Sequence, residues 1–281
     1  MQPKLGIIAG GGDLPVRIID ACRASGRPHF VLAIEGHTPP ETVEGAPHAW
    51  VRLGAGGKAL KILKKEEVQE LVLAGPVRRP SLSELKPDLW TAKFLAKVSG
   101  KALGDDGLLG AVVNELERKE GFVVVGAETL LPSDLAADGL LGSIAPDAQA
   151  LRDIARGIEV ARGLCALDVG QAAVVQQGMV LAVEALEGTD AMLARAGVLQ
   201  REGPGGVLVK VGGAKRESRA DLPAVGESTV EAAAAAGLRG IAVEAGEALV
   251  IDRERMVAAA DAAGLFVVGV RSEGRDTDAF P

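Results

Sequence analysis

The sequence predicts an α/β protein in two parts: a Rossmann-like N-terminal domain on a parallel sheet, then a C-terminal domain of mixed α/β (α+β) character. Three observations predict it. In the first half, short apolar runs closed by Gly or Gly-Pro alternate with segments of helical periodicity, as in a parallel sheet covered on both faces. In the second half, 171 to 186 reads as an antiparallel pair, which a purely parallel sheet lacks. Finally, 281 residues suit two domains of ordinary size. Residues 133–146, with prolines, glycines and small side chains, suit a connection, leaving domains at 1–132 and 147–281.

The strands expected in the first half are LGIIAG (5–10), FVLAIEG (30–36), AWVRLG (49–54), LVLAGPV (71–77) and FVVVGA, which begins at Phe122. Between them PVRIIDACRAS, KALKILKKEEV and DDGLLGAVVNELERKEG read as helices. Beyond the connection a helix is expected over about 147–162. The hairpin follows, and GVLVKVG, GIAVEAG, EALVID and GLFVVGV then alternate with helices at TDAMLARAG, STVEAAAAAG and DRERMVAAADAAG.

Composition narrows the function. With 48% hydrophobic and 25% charged residues the chain is globular, and its apolar runs are broken well before a bilayer-spanning length. MQPKLGIIAGGG lacks the extended apolar core and cleavage site of a signal peptide, so a cytoplasmic protein is expected. A net charge of −7 argues against general nucleic-acid binding. Cys22 and Cys165 form no metal or redox motif, and His29, His37 and His48 lack zinc spacing. Carboxylate oxygens would have to hold any metal.

Two glycine-rich turns stand where a parallel sheet binds ligands. IIAGGGDLP sets Gly10, Gly11 and Gly12 between a strand and a helix, with Asp13 at the helix start and Pro15 in its first turn. This is a partial match to the dinucleotide fingerprint, and Glu35 ends the second strand where an acid could take ribose hydroxyls. A tight turn with Asp13 capping the helix explains the same residues equally well. GAGGK (54–58) repeats the arrangement, and two such loops favour a phosphorylated or sugar-like ligand.

The second half brings charge to an apolar frame. In MVLAVEALEG, Glu184 falls on a face shared with Ala182 and Leu186. Glu187, Thr189 and Asp190 follow at the corner into the next helix, where Thr189 is placed to cap it. Lys210 lies inside a strand of valines, which is costly unless its ammonium meets an anion. Then Lys215, Arg216, Glu217, Arg219 and Asp221 crowd into seven positions. Such runs are usually solvated loops, but carboxylates for Mg²⁺ beside cations for phosphate are the ingredients of metal-assisted phosphoryl transfer.

GGGDLP, GDDGLL (104–109), GQAAVV with VEALEGTDAM, and VLVK followed by RADLPAVGESTV resemble one enzyme family. It is the two-domain UDP-2,3-diacylglucosamine pyrophosphatases of lipid A biosynthesis, unrelated to the metallophosphoesterase type. The resemblance implies a Mg²⁺-dependent hydrolase holding a lipid-linked sugar nucleotide in a cleft between its domains. Water would attack the α-phosphorus, giving UMP and 2,3-diacylglucosamine 1-phosphate. Asp221, Asp190 and Glu187 are expected to be catalytic, with Asp190, Asp221 and Glu217 on the metal. Gly11, Gly12, Asp13, Thr189, Lys210 and Arg219 are expected to contact substrate. The sequence departs from the family pattern at Ala214-Lys215-Arg216-Glu217, where the carboxylate is one methylene longer. A homodimer is the expected assembly.

The same lipid substrate gives a meaning to residues 78–101, where Arg78, Arg79, Lys86, Lys93, Lys97 and Lys101 face only Glu84 and Asp88. Leu82, Leu85, Leu89, Trp90, Phe94 and Val98 recur at helical spacing, as in a segment lying on the cytoplasmic face of the inner membrane. Packing on the sheet with solvated lysines is the plainer alternative. Two other functions stay open: an NAD(P)-binding oxidoreductase, which leaves the acidic residues unexplained, and a non-catalytic sugar-nucleotide binding protein.

Overall fold

The structure, a computed structural model, describes residues 2–78, 85–98, 105–212 and 222–271. The chain divides into two compact units, the first running to Pro132 and the second starting at Ser133. Both are α/β, as the alternating pattern predicts.

In the first unit β1 (Leu5–Ala9), β2 (His29–Ile34), β3 (His48–Val51), β4 (Glu70–Ala74) and β5 (Val123–Val124) form a sheet in the order β3-β2-β1-β4-β5. All pairs are parallel, and Ile7 stands opposite Val31 and Val72. The order reverses at β1, so the ligand-binding crevice of such sheets falls at the carboxyl ends of β1 and β4. The helices are α1 (Leu14–Ser25), α2 (Gly56–Lys65), α3 (Leu89–Val98), α4 (Asp105–Arg118) and the short α5 (Ala127–Leu130). Leu60 and Leu63 of α2, Val113 and Leu116 of α4 and Trp90 of α3 close over Phe30, Leu32, Leu71 and Val124. α1 buries Ile18, Ile19 and Cys22.

The apolar stripe of α3 is therefore turned into the protein. Trp90 and Phe94 stack with ring centroids 5.6 Å apart, Phe94 is buried, and the Trp90 indole N–H donates to Glu120 Oε1 (3.0 Å). Leu89 alone of the described stripe is largely exposed, at 74%. Helical spacing gives the width of an apolar face but not what covers it. Leu82, Arg79, Glu84 and Lys101 lie outside the described residues.

In the second unit the stretch expected to be a connection supplies an edge strand. β6 (Gly139–Leu140) pairs antiparallel with β13 (Phe266–Val270), and Ala136 donates its N–H to Ala248 O (2.8 Å). A two-residue strand is too short to show periodicity. The remaining strands are β7 (Ala172–Gln176), β8 (Met179–Val183), β9 (Val207–Lys210) and β11 (Gly240–Glu244), in the sheet order β6-β13-β11-β9-β7-β8. β9, β11 and β13 are parallel, and β7 runs against both β8 and β9. β10 (Ala224–Val225) and β12 (Leu249–Val250) form a small parallel pair beside it.

One face of this sheet carries α6 (Ala148–Ala166), whose Ala150, Ile154 and Ala161 pack on Val207, Val209, Ala242 and Phe266. The other carries α7 (Gly188–Val198), α8 (Glu227–Ala235) and α9 (Arg253–Ala263). There Met192, Leu193, Val230, Ala233, Met256 and Ala260 meet Val174, Leu208, Ile241 and Val267. Alternation along β9 sends Val207 and Val209 to α6, and Leu208 and Lys210 to the three-helix side.

The α6 layer lies close to the sheet because Gly157 has no side chain: a Cβ there would come within 2.3 Å of Val209 Cγ2. Gly157→Ala gains about 1 kcal/mol in helix propensity, but overpacking a stiff β-branched neighbour costs about 1–3 kcal/mol. Net destabilisation in urea denaturation is expected; a more stable variant would contradict this packing.

Candidate active site

Both glycine-rich turns of the first unit are engaged by the protein's own groups. At the first, Gly10 N–H donates to Ala74 O (2.8 Å) and Gly11 N–H to Pro76 O (2.9 Å). A Cβ on Gly10 would meet Pro76 O at 2.5 Å, and one on Gly75 would meet Gly11 O at 2.0 Å. The glycines let the chains leaving β1 and β4 cross at van der Waals distance. The amide of Gly11, a residue expected to contact substrate, is given to the chain leaving β4. Gly12 (φ 68°) and Asp13 are exposed, and Asp13 occupies the N-cap of α1 without making the cap hydrogen bond expected of it.

At the second turn the anion on the helix N-terminus is a side chain. Asp88 Oδ2 accepts from the amides of Gly57 (2.8 Å) and Lys58 (3.3 Å), its Oδ1 accepts from Thr91 N (2.8 Å), and Thr91 Oγ1 accepts from Gly56 N (3.0 Å). The GAGGK loop thus holds Asp88 where a phosphate was expected, which satisfies the orphan amides of α2 from 31 residues away. Burial works to raise this carboxyl, but the hydrogen bonds from Thr91, Gly57 and Lys58 outweigh it and hold it below the usual carboxylate range.

A depressed carboxyl stabilises the fold at pH above its unfolded value and loses that contribution as pH falls through the folded one. Asp88→Ala is expected to cost about 1 kcal/mol at neutral pH, as for a lost N-cap. The gap from wild type should narrow in acid. Denaturation at several pH values checks this, and a pH-independent gap would contradict it.

In the second unit the corner between β8 and α7 is organised by one hydroxyl. Thr189 Oγ1 donates to Glu184 Oε1 (2.6 Å) and accepts from Lys210 Nζ (3.0 Å). Glu184 and Lys210 are 7% and 6% exposed, so both charges are removed from bulk water. Glu184 Oε2 accepts from Gln171 N (3.1 Å), and Lys210 also donates to Ala224 O (3.3 Å). Thr189 is therefore not the cap of α7: the N-cap position is Glu187, and Thr189 stands in the first turn facing inward. The anion that buried Lys210 needs reaches it through Thr189. Glu184, five residues before Thr189 on an apolar face, was the sequence signal for this link, and it was not among the expected site residues.

The two acids beyond it differ. Arg195 Nη2 donates to Glu187 Oε1 (2.6 Å) and to Val183 O (2.9 Å), pinning the helix start to the strand end. Hydrogen bonds from its own backbone amide and from Arg195 hold the Glu187 carboxyl below the usual range. Glu187 is thereby held as a carboxylate by a cation of its own unit. Asp190 sits exposed in the first turn of α7, where the helix dipole favours negative charge, and no hydrogen bond or ion pair engages it among the described residues. Asp221, Glu217 and Arg219 lie outside the described residues, so the expected meeting of Asp190 with Asp221 does too.

Mg²⁺ takes hard oxygen ligands, usually one or two carboxylates with waters and substrate phosphates completing the shell. Asp190 is a donor of that kind. Among the described residues no group of three or more His, Cys, Asp or Glu side chains gathers at ligand spacing.

Thr189→Val keeps the shape but removes the shared hydroxyl, at about 1–3 kcal/mol for each buried group left unpaired. Thr189→Ser should recover most of that in urea denaturation. Equal stability of wild type and the valine variant would show that the link carries no weight.

Comparison with known proteins covers nearly the whole chain. The family model of the LpxI N-terminal domain matches residues 4–134, and that of the LpxI C-terminal domain matches 137–268. The UDP-2,3-diacylglucosamine pyrophosphatase LpxI of Caulobacter vibrioides is 44% identical over 279 residues, 97% of this chain and 99% of that one. Two solved structures show only remote likeness. The biotin carboxylase domain of Hydrogenobacter thermophilus 2-oxoglutarate carboxylase is 12% identical, with TM-score 0.24, over 71% of this chain and 42% of that one. The biotin carboxylase subunit of pyruvate carboxylase is 14% identical, with TM-score 0.22, over 66% and 39%. This chain spans less than half of either, and at those scores they carry no argument. The two domain matches and the full-length relative establish that the chain belongs to the LpxI family.

Proposed function

We propose that this chain hydrolyses the diphosphate of UDP-2,3-diacylglucosamine, a step of lipid A biosynthesis, releasing UMP and 2,3-diacylglucosamine 1-phosphate by attack of water on the α-phosphorus. The observation that carries this reading is its 44% identity over 97% of its length to a relative named for that activity. Within the second unit, the Glu184–Thr189–Lys210 link fixes the corner that presents Asp190. An ammonium has three donors, and Thr189 and Ala224 take two of those of Lys210. The third is proposed for a substrate phosphate, with Arg219 as a second cation. Asp190, Asp221 and Glu217 would hold Mg²⁺, and Asp221 would orient or deprotonate the attacking water. The ion, when bound, neutralises charge developing on the phosphate oxygens.

Purified protein given the substrate should release UMP with Mg²⁺ and lose that activity in chelator. Asp190→Asn and Asp221→Asn should each lower the rate by about 10²-fold or more. Binding without turnover would support a non-catalytic sugar-nucleotide binding protein instead.

A two-tailed substrate resides in a bilayer, and peripheral contact with the cytoplasmic face of the inner membrane is part of the proposal. No helix among the described residues is long and apolar enough to cross a membrane. The surface offered on α3 is the exposed Leu89 with Lys93 and Lys97, not the inward Trp90 and Phe94. Lys93→Glu with Lys97→Glu should weaken flotation with anionic vesicles, and unchanged flotation would remove this contact. A homodimer, which light scattering of the purified protein reads, is the proposed assembly.

A further inference from the structure

The paired residues of β9 and β11 end at Lys210 opposite Val243. Two residues further along the first of these strands, a side chain takes over from the ladder: Glu244 Oε2 accepts from Gly212 N (2.9 Å). Glu244 is the last residue of β11 and only 5% exposed. Its other oxygen, Oε1, accepts from Arg162 Nη2 (3.1 Å), near the end of α6. A buried carboxylate must be taken out of water, whereas an apolar side chain of similar volume would fill the same space without that penalty. What the carboxylate alone supplies is an acceptor on each side, one for the guanidinium of α6 and one for the chain leaving β9.

That chain is seated closely. Val211 N donates to Gln171 O (3.0 Å), and a Cβ on Gly212 would stand 3.0 Å from Glu247 Cβ and 3.3 Å from Glu247 O. The stretch that begins here carries Glu217, Arg219 and Asp221 in its sequence and runs to Ala224, whose carbonyl accepts from Lys210. Each end is thus tied to a buried charge of the second unit, Gly212 to Glu244 and Ala224 to Lys210. Tying both ends restricts the conformations open to the chain between them. For groups that act on reacting atoms this matters, since a misplacement of about 1 Å can lower a rate about 10²-fold.

We infer that Glu244 is a positioning residue for the hydrolysis. By accepting from Gly212 N it sets where the chain leaves β9, and so where Arg219 and Asp221 are delivered, with Arg162 as its counter-charge. The inference rests on the reaction proposed above for the roles of those two residues.

The test compares Glu244→Met, which keeps the volume and removes both acceptors, with Glu244→Gln, which keeps one acceptor for Gly212 N. UMP release with Mg²⁺ and hydrogen exchange of the peptide spanning 212–221 are both read on the purified full-length protein. Glu244→Met should lower kcat about 10²-fold and leave KM within about 3-fold of wild type. It should also speed exchange across 212–221 about 10-fold or more. Glu244→Gln should recover about 10-fold or more of the lost kcat and most of the protection. A carboxylate with a purely structural role would lower the melting temperature without separating kcat from KM. Gly212→Ala leaves both charges in place and keeps the test decisive should Glu244→Met not fold. Its methyl displaces the chain from Glu247, and kcat should fall about 10-fold.

Wild-type kcat in folded Glu244→Met or in Gly212→Ala overturns the assignment, as does a Glu244→Gln no better than Glu244→Met. If the wild type releases no UMP, the proposed reaction falls and exchange still decides. Faster exchange in Glu244→Met, recovered in Glu244→Gln, sustains Glu244 as the residue that positions the stretch; equal exchange in all three overturns it whatever the rate.

Discussion

A threonine hydroxyl between a buried carboxylate and a buried ammonium is the constraint around which the second unit is arranged. Taking either charge out of water costs several kcal/mol, and that cost is met only if each keeps a partner of opposite character. Glu184 and Lys210 do so through Thr189, with Gln171 N and Ala224 O taking further valences. Three pieces of chain are thereby fixed together: the end of β8, the first turn of α7 and the end of β9. β10 is drawn in as well, because its first residue, Ala224, accepts from Lys210 through its carbonyl. A second buried acid supports the frame from behind. Asp153 of α6 accepts from Gln177 N (3.0 Å) and Gly178 N (2.7 Å), clamping the turn between β7 and β8.

In the first unit the same physics acts at helix N-termini, and there the protein's own groups engage amides of both glycine-rich turns. A helix start attracts any anion, and α2 finds one in Asp88 of its own unit. The turn before α1 gives an amide to a carbonyl across the sheet. Strand-glycine-helix patterns therefore mark a place where backbone donors must be satisfied, and the sequence does not say by what. A Rossmann-like order likewise fixes a sheet and not its ligand.

Much of the architecture was legible because it rests on period and punctuation. The five parallel strands of the first sheet, the hairpin of the second and the helices between them follow from apolar runs closed by glycine. Edge strand β6 was not legible, since Gly139 and Leu140 are too few to alternate, and their pairing with β13 joins residues far apart in sequence. The inward turn of Trp90 was hidden for a related reason: its partner Glu120 lies 30 residues away. At the site, Glu184, Thr189 and Lys210 each stood out singly as a polar group in apolar surroundings. Their connection did not, because it crosses two strands and a helix. Glu187 drew attention by its neighbours, while Arg195, which holds it, lies two turns along α7.

If this link is the mount of the site, Glu184 and Lys210 must be energetically coupled although no direct ion pair joins them among the described residues. The most direct measurement is a double-mutant cycle on stability with Glu184→Gln, Lys210→Met and the pair together. Each single change leaves one buried charge without its counterpart, and the pair removes both. Coupling on the order of 1–3 kcal/mol is expected, with the double variant costing less than the sum of the singles. Additive losses would contradict the account.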